Sequence, residues 1–251
     1  MTSTPPFDEL LSLIEDRSAA LRHAAASVPD LQGRVPGCPD WTLDDLVFHL
    51  STVQRFWAAA VSLANDSGPP PPEQRGEAEP PGDILEWFGE STGLLLAALR
   101  AVGPDSPCWA WWAASGAPLT AGAVARHQVQ EAAVHARDAQ EAIGKPEPLP
   151  AVVAVDGVAE FLSVGLASQG AWPHRPARVA FAAVDGPTHV VDLSRSGVIL
   201  DQAAPGSPVV TVHAPASDLV LALYGRLPFS AARIEGDEQV LADLLAWGDS
   251  E

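Results

Sequence analysis

Apolar residues recur every three or four positions in four stretches of the first half of the chain. In the first stretch, Leu10, Leu11 and Ile14 fall on one face of a helix. Gly144 and Pro146 follow the fourth stretch, as is typical where a helix ends. The pattern therefore predicts four long helices packed as a bundle. They are expected over residues 7–28, 41–64, 83–102 and 121–143.

Two irregular connections separate these helices. Residues 65–83 contain so many prolines that we predict a loop without regular structure. Residues 103–119 form a second irregular connection, which is unusually rich in tryptophan. Trp109, Trp111 and Trp112 are candidates for the wall of an apolar substrate pocket near the fourth helix. The alternative is that these side chains only pack between the two halves of the protein.

The second half of the chain has a different pattern, in which short apolar runs alternate with glycine and proline turns. The segment KPEPLP, residues 145–150, is the predicted hinge before this half. We predict helices over residues 151–168, 216–225 and 237–247, and strands over 177–184, 188–194, 197–202, 208–214 and 233–236. The expected fold class is α+β, with a four-helix bundle over residues 1–146 and a small α+β C-terminal domain over residues 147–251.

Composition limits the classes of partner. The chain has 32 acidic and 14 basic residues, hence a net charge of −18, which would repel a phosphate backbone and argues against a nucleic-acid partner. The two cysteines cannot form a disulfide framework. The acidic N-terminus lacks the features of a signal peptide, and no apolar run is expected to span a membrane. We therefore expect a cytoplasmic protein with no membrane partner; the bias toward Ala, Arg, Gly and Pro indicates a high-GC bacterial genome.

Candidate metal ligands lie on the predicted fourth helix. Glu131 and His135 are four residues apart, so their side chains share one face and can reach one ion. Asp138 is close to the same face and is placed to orient a ligand. His127 lies about 12 Å from His135 along the helix axis, too far for both to bind one ion. His49, within the apolar second helix, is the best third ligand.

Two interpretations of these residues remain open from spacing alone. Two imidazoles and one carboxylate suit zinc with an open coordination position, although nickel, iron and manganese also accept such ligands. The alternative is that His49 is a hydrogen-bonded core residue and that the spacing of Glu131 and His135 arises by chance.

Two segments favour the metal site over the chance interpretation because together they form a specific pattern. The segment VPGCPDWTLDDLVFHLSTVQRFW resembles the N-terminal signature of the mycothiol-dependent maleylpyruvate isomerase family, within the DinB-like helical superfamily. The segment EAAVHARDAQEAIGKPEPL resembles the family's second signature, Glu-x-x-x-His-x-x-Asp-Ala, and LYGRLPFSAARIEGDEQVLADLLAW resembles its small C-terminal domain. The matching residues are Pro39, Trp41, Thr42, Asp45, Leu46, His49, Glu131, His135, Asp138, Ala139 and Gly144.

The resemblance implies a DinB-like four-helix bundle that binds zinc through His49, Glu131 and His135. It also implies an arginine of the second domain at the active site, for which Arg226 is the best match and Arg233 the second. Family members use mycothiol, the low-molecular-weight thiol of actinobacteria, and a thiol bound to the metal loses its proton and becomes a nucleophile. In the isomerase the thiol adds to an electrophilic substrate, allows rotation about a double bond and leaves again. In relatives it stays on the product, as in a thiol S-transferase.

Two rival functions remain open from the sequence. In a zinc-dependent hydrolase the metal would activate water, with Asp138 or His127 as the general base. In a non-catalytic ligand-binding protein the bundle would retain the metal and the C-terminal domain would bury a ligand. Cys38 is expected to be a structural or incidental thiol. The sequence leaves the substrate and the oligomeric state open.

Overall fold

The structure is a computed structural model that describes residues 4–200 and 206–248. Seven helices and seven strands are assigned within these residues. The chain forms two compact units. The helical unit comprises residues 4–110 and 118–149; the mixed unit comprises residues 111–117 and 150–251, of which 201–205 and 249–251 are outside the described residues.

Four long helices build the helical unit, as predicted. They are α1 (Phe7–Ala26), α2 (Leu43–Leu63), α3 (Ile84–Val102) and α4 (Ala121–Ala142). Their apolar faces form a shared core in which Leu21, Leu46, Leu50 and Phe88 are almost completely buried. The helical N-terminal region of the predicted fold class is therefore confirmed.

A short hairpin precedes α2, and the sequence pattern did not predict it. Strands β1 (Arg34–Val35) and β2 (Cys38–Thr42) pair antiparallel. The segment contains prolines, but β2 is only five residues long and has one partner strand, so few ladder hydrogen bonds are required of it. A second difference is a single 3-10 turn, Pro72–Gln74, in the segment predicted to be irregular throughout.

Polar side chains tie three helices together inside the helical unit. Gln54 on α2 donates a hydrogen bond to Ser18 on α1 (2.9 Å) and accepts one from Thr92 on α3 (2.7 Å). All three side chains are buried, so these hydrogen bonds remove the cost of burying polar groups. The network fixes how α2 lies against its neighbours and therefore where α2 carries His49.

The mixed unit contains one five-stranded sheet in the order β5-β4-β3-β6-β7. Its strands are β3 (Ala177–Ala183), β4 (Thr188–Ser194), β5 (Gly197–Leu200), β6 (Val210–Ala214) and β7 (Arg233–Gly236). Only β3 and β6 pair in parallel, and the other neighbours are antiparallel. The predicted strand over 197–202 ends at Leu200 among the described residues, since 201 and 202 are outside them.

Three helices accompany this sheet: α5 (Ala151–Ser163), α6 (Ala216–Leu223) and α7 (Glu238–Gly248). Buried residues alternate along β4 and β6, which is typical of a sheet with one face against a core. The α+β fold class is confirmed.

One helical segment bears on the expectation that no apolar run spans a membrane. Among the described residues, Ala151–Gln169 is long and apolar enough to cross a membrane by length and composition, whereas no such run was expected. Half of its apolar window is buried inside the protein, and the core helix of a globular protein passes the same test.

Candidate metal centre

Helix α4 carries a row of ionisable side chains that are buried or half-buried. Thr120 caps its start by accepting a hydrogen bond from the backbone N–H of Ala123 (3.3 Å). The side chain of His135 is 9% exposed and that of Asp138 is completely buried, while Glu131 keeps 23% of its side-chain surface. A row of buried charges on a helix needs partners because each group loses its hydration.

Helix α2 positions His49 through a capping box at its first turn. Thr42 Oγ1 accepts a hydrogen bond from the backbone N–H of Asp45 (3.2 Å), and Asp45 Oδ2 accepts one from the backbone N–H of Thr42 (2.8 Å). Asp45 Oδ2 also accepts a hydrogen bond from the Thr42 hydroxyl, and these bonds hold the pKa of the Asp45 carboxyl below its usual value. The cap fixes the start of the helix two turns before His49.

The three predicted ligands converge on one point. Glu131 Oε2 lies 3.5 Å from His135 Nε2 and 4.0 Å from His49 Nε2, and the three ligand atoms all lie within 4.8 Å of one another. Two ligand atoms bound to one tetrahedral zinc lie about 3.3 Å apart, given bond lengths of about 2.0–2.1 Å. The separations of 3.5 and 4.0 Å are longer than this, so the donors lie near, but not yet at, the spacing that one small cation requires.

The carboxylate of Glu131 supplies an independent test of this fit. Its Oε2 atom is buried and makes no hydrogen bond within the described structure. A buried, unsatisfied carboxylate oxygen is costly, and a cation between Glu131 and the two imidazoles would remove that cost. The donor types, two imidazoles and one carboxylate, are also those of a catalytic zinc site with an open position.

Asp138 is placed to orient one of these donors. Its Oδ2 lies 3.0 Å from Nδ1 of His135, which assigns the Nδ1 proton to this contact and leaves the Nε2 lone pair facing Glu131. Cys38 Sγ donates a weaker hydrogen bond to the same oxygen (3.8 Å). Cys38, His135 and Asp138 also lie close enough to form a second metal-binding group, but here the two side chains of α4 already satisfy each other.

Aromatic rings surround the imidazoles. The Trp41 ring lies 4.7 Å from the His49 ring and 6.1 Å from the His135 ring, measured between centroids. His127 lies on the far side of Glu131, where its Nε2 is 3.8 Å from Oε1, and its ring meets Trp57 edge-on. The two carboxylate oxygens of Glu131 therefore face different histidines, and His127 lies outside the group of three, as its position along the helix predicts.

Other predicted site residues lie in the mixed unit. Arg226 follows Gly225, whose positive φ of 73° ends α6, and its Nη1 donates to the carbonyl oxygen of Tyr224 (2.7 Å). Arg233 on β7 is exposed and pairs with Glu235. A role for either arginine in the site stays a prediction.

The predicted tryptophan wall is divided between the two units. Trp109 stacks on Trp57 in the helical unit, with ring centroids 6.4 Å apart. Trp111 and Trp112 belong to the mixed unit, where Trp112 is fully buried and Trp111 is 47% exposed.

The position of Cys38 differs from the expectation. We expected an incidental thiol, yet it lies against Asp138, a residue 100 positions away in the chain. The only signal available was its place four residues before the cap of α2, and only the hairpin of β1 and β2 shows which way this residue faces.

Comparisons with known proteins match both halves of the chain. Residues 11–140 match the family described as mycothiol maleylpyruvate isomerase N-terminal domain, and residues 152–243 match the family described as MDMPI C-terminal domain. No curated protein matches the chain.

Solved structures share the fold over nearly the whole chain. A His-to-Ala variant of mycothiol-dependent maleylpyruvate isomerase is 19% identical, with a TM-score of 0.63, and the match covers 94% of this chain and 96% of that one. A further structure of mycothiol-dependent maleylpyruvate isomerase is 21% identical, with a TM-score of 0.60, and the match covers 90% and 93% of the two chains. At these identities the likeness establishes the fold.

Proposed function

The chain belongs to the mycothiol maleylpyruvate isomerase family, and we propose that it is a metal-dependent enzyme that uses mycothiol to isomerise a small electrophilic substrate. The observation that carries the proposal is the convergence of His49, Glu131 and His135 around a buried carboxylate oxygen that makes no hydrogen bond. Family membership supports the thiol and the isomerase reaction, and the donor set supports a divalent cation, with zinc preferred.

A divalent cation held by these three residues would favour the thiolate form of a bound thiol and so supply a nucleophile at neutral pH. The chain's own residues prepare that site. Asp138 holds the Nδ1 proton of His135, which keeps the Nε2 lone pair directed toward Glu131. The Trp41 ring packs against both imidazoles and limits their rotation.

Access and charge are consistent with a reacting centre rather than a closed structural site. The side chains of His49 and Glu131 remain 34% and 23% exposed, so a thiol can approach from their side, whereas His135 is buried. The carboxylates of Glu131 and Asp138 together balance the charge of one divalent cation before a thiolate binds. Arg226 remains the predicted residue for binding a polar group of the substrate or of the thiol.

Metal analysis of the purified protein tests the donor set. We expect about one divalent ion per chain, lost in His49→Ala and in His135→Ala. His174→Ala is the matched control, because this histidine is 47% exposed in the mixed unit. Full metal occupancy in His49→Ala would show that the ligand set is wrong.

Turnover tests the reaction. Maleylpyruvate is mixed with the metal-loaded enzyme, with and without mycothiol, and the cis-to-trans conversion is followed by NMR. We expect conversion only with the thiol, with the thiol recovered free. A product that retains the thiol would make the protein an S-transferase, and hydrolysis of the substrate without thiol would favour a hydrolase. Metal binding with neither thiol binding nor turnover would contradict the proposal and favour the ligand-binding alternative.

A further inference from the structure

A cavity of about 590 Å³ lies entirely within the mixed unit. Its size is within the range of about 300–1,000 Å³ that is typical of small-molecule sites. The thirteen lining residues come from the 111–117 segment, from α5 and the turn after it, from β3, and from the ends of α6 and α7. They are Trp111, Phe161, Gly165, Leu166, Ser168, Gln169, Phe181, Leu223, Tyr224, Gly225, Leu244, Leu245 and Gly248.

Aromatic rings form much of the wall. Phe161 and Tyr224 meet edge-to-face with centroids 4.9 Å apart, and Phe181 is completely buried. At the rim, Trp111 keeps 47% of its surface exposed although its neighbour Trp112 is fully buried and packs against it at 5.3 Å. A large ring exposed beside an apolar cavity would bury more of its apolar surface if it covered a ligand.

The polar side chains that line the cavity are uncharged, and they are Trp111, Ser168, Gln169 and Tyr224. Among the described residues that line it, none carries a charge, although the chain as a whole is strongly charged. Ser168 Oγ donates its proton to the carbonyl oxygen of Val164 (2.7 Å), so its lone pairs remain to accept a hydrogen bond from a ligand. Gln169 adds an amide. A charged ligand would lose hydration here, and none of the described lining residues would supply a counter-charge.

We propose that this cavity, whose lining includes none of the three metal ligands, is a ligand site that binds an uncharged aromatic compound carrying one hydroxyl or amine donor. The proposal does not depend on the thiol reaction, because no residue of the metal centre lines the cavity. The neutral ligand class differs from the thiolate proposed for the metal centre.

Two dyes with the same ring skeleton test the charge preference. N-Phenyl-1-naphthylamine is neutral and carries an N–H donor, and 8-anilino-1-naphthalenesulfonate adds one negative charge. We expect saturable 1:1 fluorescence binding of the neutral dye and at least about ten-fold weaker binding of the sulfonate. The measurement is repeated at about 1 M salt, where the Debye length is about 3 Å, so that repulsion by the acidic surface is screened. Equal affinities at high salt would overturn the proposal.

Variants locate the dye. Ser168→Trp fills the cavity and should abolish saturable binding, whereas Ser168→Ala keeps the space and should weaken it by no more than about ten-fold. Trp111→Leu keeps an apolar rim without the aromatic ring and should weaken binding by about two- to ten-fold. His135→Ala should leave binding of the dye unchanged, which separates this site from the metal centre.

Circular dichroism and thermal melting check that each variant is folded. Unchanged dye binding in folded Ser168→Trp would overturn the proposal. If Ser168→Trp does not fold, unchanged binding of the dye by folded Trp111→Leu would overturn the proposal instead. Displacement of the dye by n-decanol as effectively as by 1-naphthol would show that the cavity has no preference for aromatic ligands and would also refute the proposed ligand class.

Discussion

Replacing Asp138 with asparagine tests how the metal centre is organised. The change keeps the size of the side chain but removes a charge that is completely buried and lies 3.0 Å from Nδ1 of His135. Without the carboxylate, His135 becomes less basic and the charge of a bound cation is less well balanced. Loss of such a partner typically weakens metal binding by about 10- to 100-fold, equal to about 1.4–2.7 kcal/mol. We expect a change of this size for zinc.

The assay is competition between the protein and a chromogenic zinc chelator at fixed pH and ionic strength. The matched control is Glu141→Gln, which makes the same acid-to-amide change on α4 at a partly exposed ion pair with Arg137. This control should bind zinc as the unsubstituted protein does. Thermal unfolding of the metal-free variants checks that the helical unit remains folded. Zinc affinity of Asp138→Asn within about three-fold of the parent, below the range expected for an orienting residue, would refute the reasoning.

Three further predictions concern stability. Thr42→Ala should lower the free energy of unfolding by about 1 kcal/mol in urea titrations because it removes the cap of α2. Thr42→Ser keeps a hydroxyl and should retain the stability, so equal losses in the two variants would argue against the cap. Burial raises the pKa of the Cys108 thiol to about 11 from the 9.0 of an exposed thiol. The thiol's contribution to the free energy of unfolding is therefore complete below pH 9 and is lost as the pH rises toward 11. Cys108→Ala should flatten this decline of stability with pH, and an unchanged pH slope would contradict the prediction. Gly236→Ala should lower the free energy of unfolding by at least about 2 kcal/mol, because φ is 105° and the new Cβ would clash with the carbonyl oxygen of Val209. The control Gly68→Ala places its Cβ where nothing lies within 4 Å and should leave the stability unchanged.

Two neighbouring features would respond differently to metal removal. Chelation should lower the melting temperature of the helical unit, because the buried Oε2 of Glu131 is left unsatisfied. The hydrogen bonds of the capping box formed by Thr42 and Asp45 are exposed and involve none of the metal ligands, so removal of the metal should leave them unchanged. A melting temperature that does not depend on chelator would contradict a metal contribution to folding.

The sequence by itself determined the helices, the fold class and the family. The apolar spacing along α1 to α4 reflects a face that must be buried, and this requirement is local enough to be read from the chain. Glycine and proline punctuation likewise located the strands of the second half to within a few residues. The pairing of Glu131 with His135 follows from helix geometry alone, since residues four apart share one face.

Only the tertiary structure decided which distant residues meet. The hairpin of β1 and β2 brings Cys38 to Asp138, and the packing of α2 against its neighbours brings His49 to within 4.0 Å of Glu131. The cavity beside Trp111 likewise depends on segments that are far apart in the chain. Sequence periodicity cannot predict these contacts between distant residues, because they depend on how whole helices and strands pack and not on the preferences of neighbouring residues.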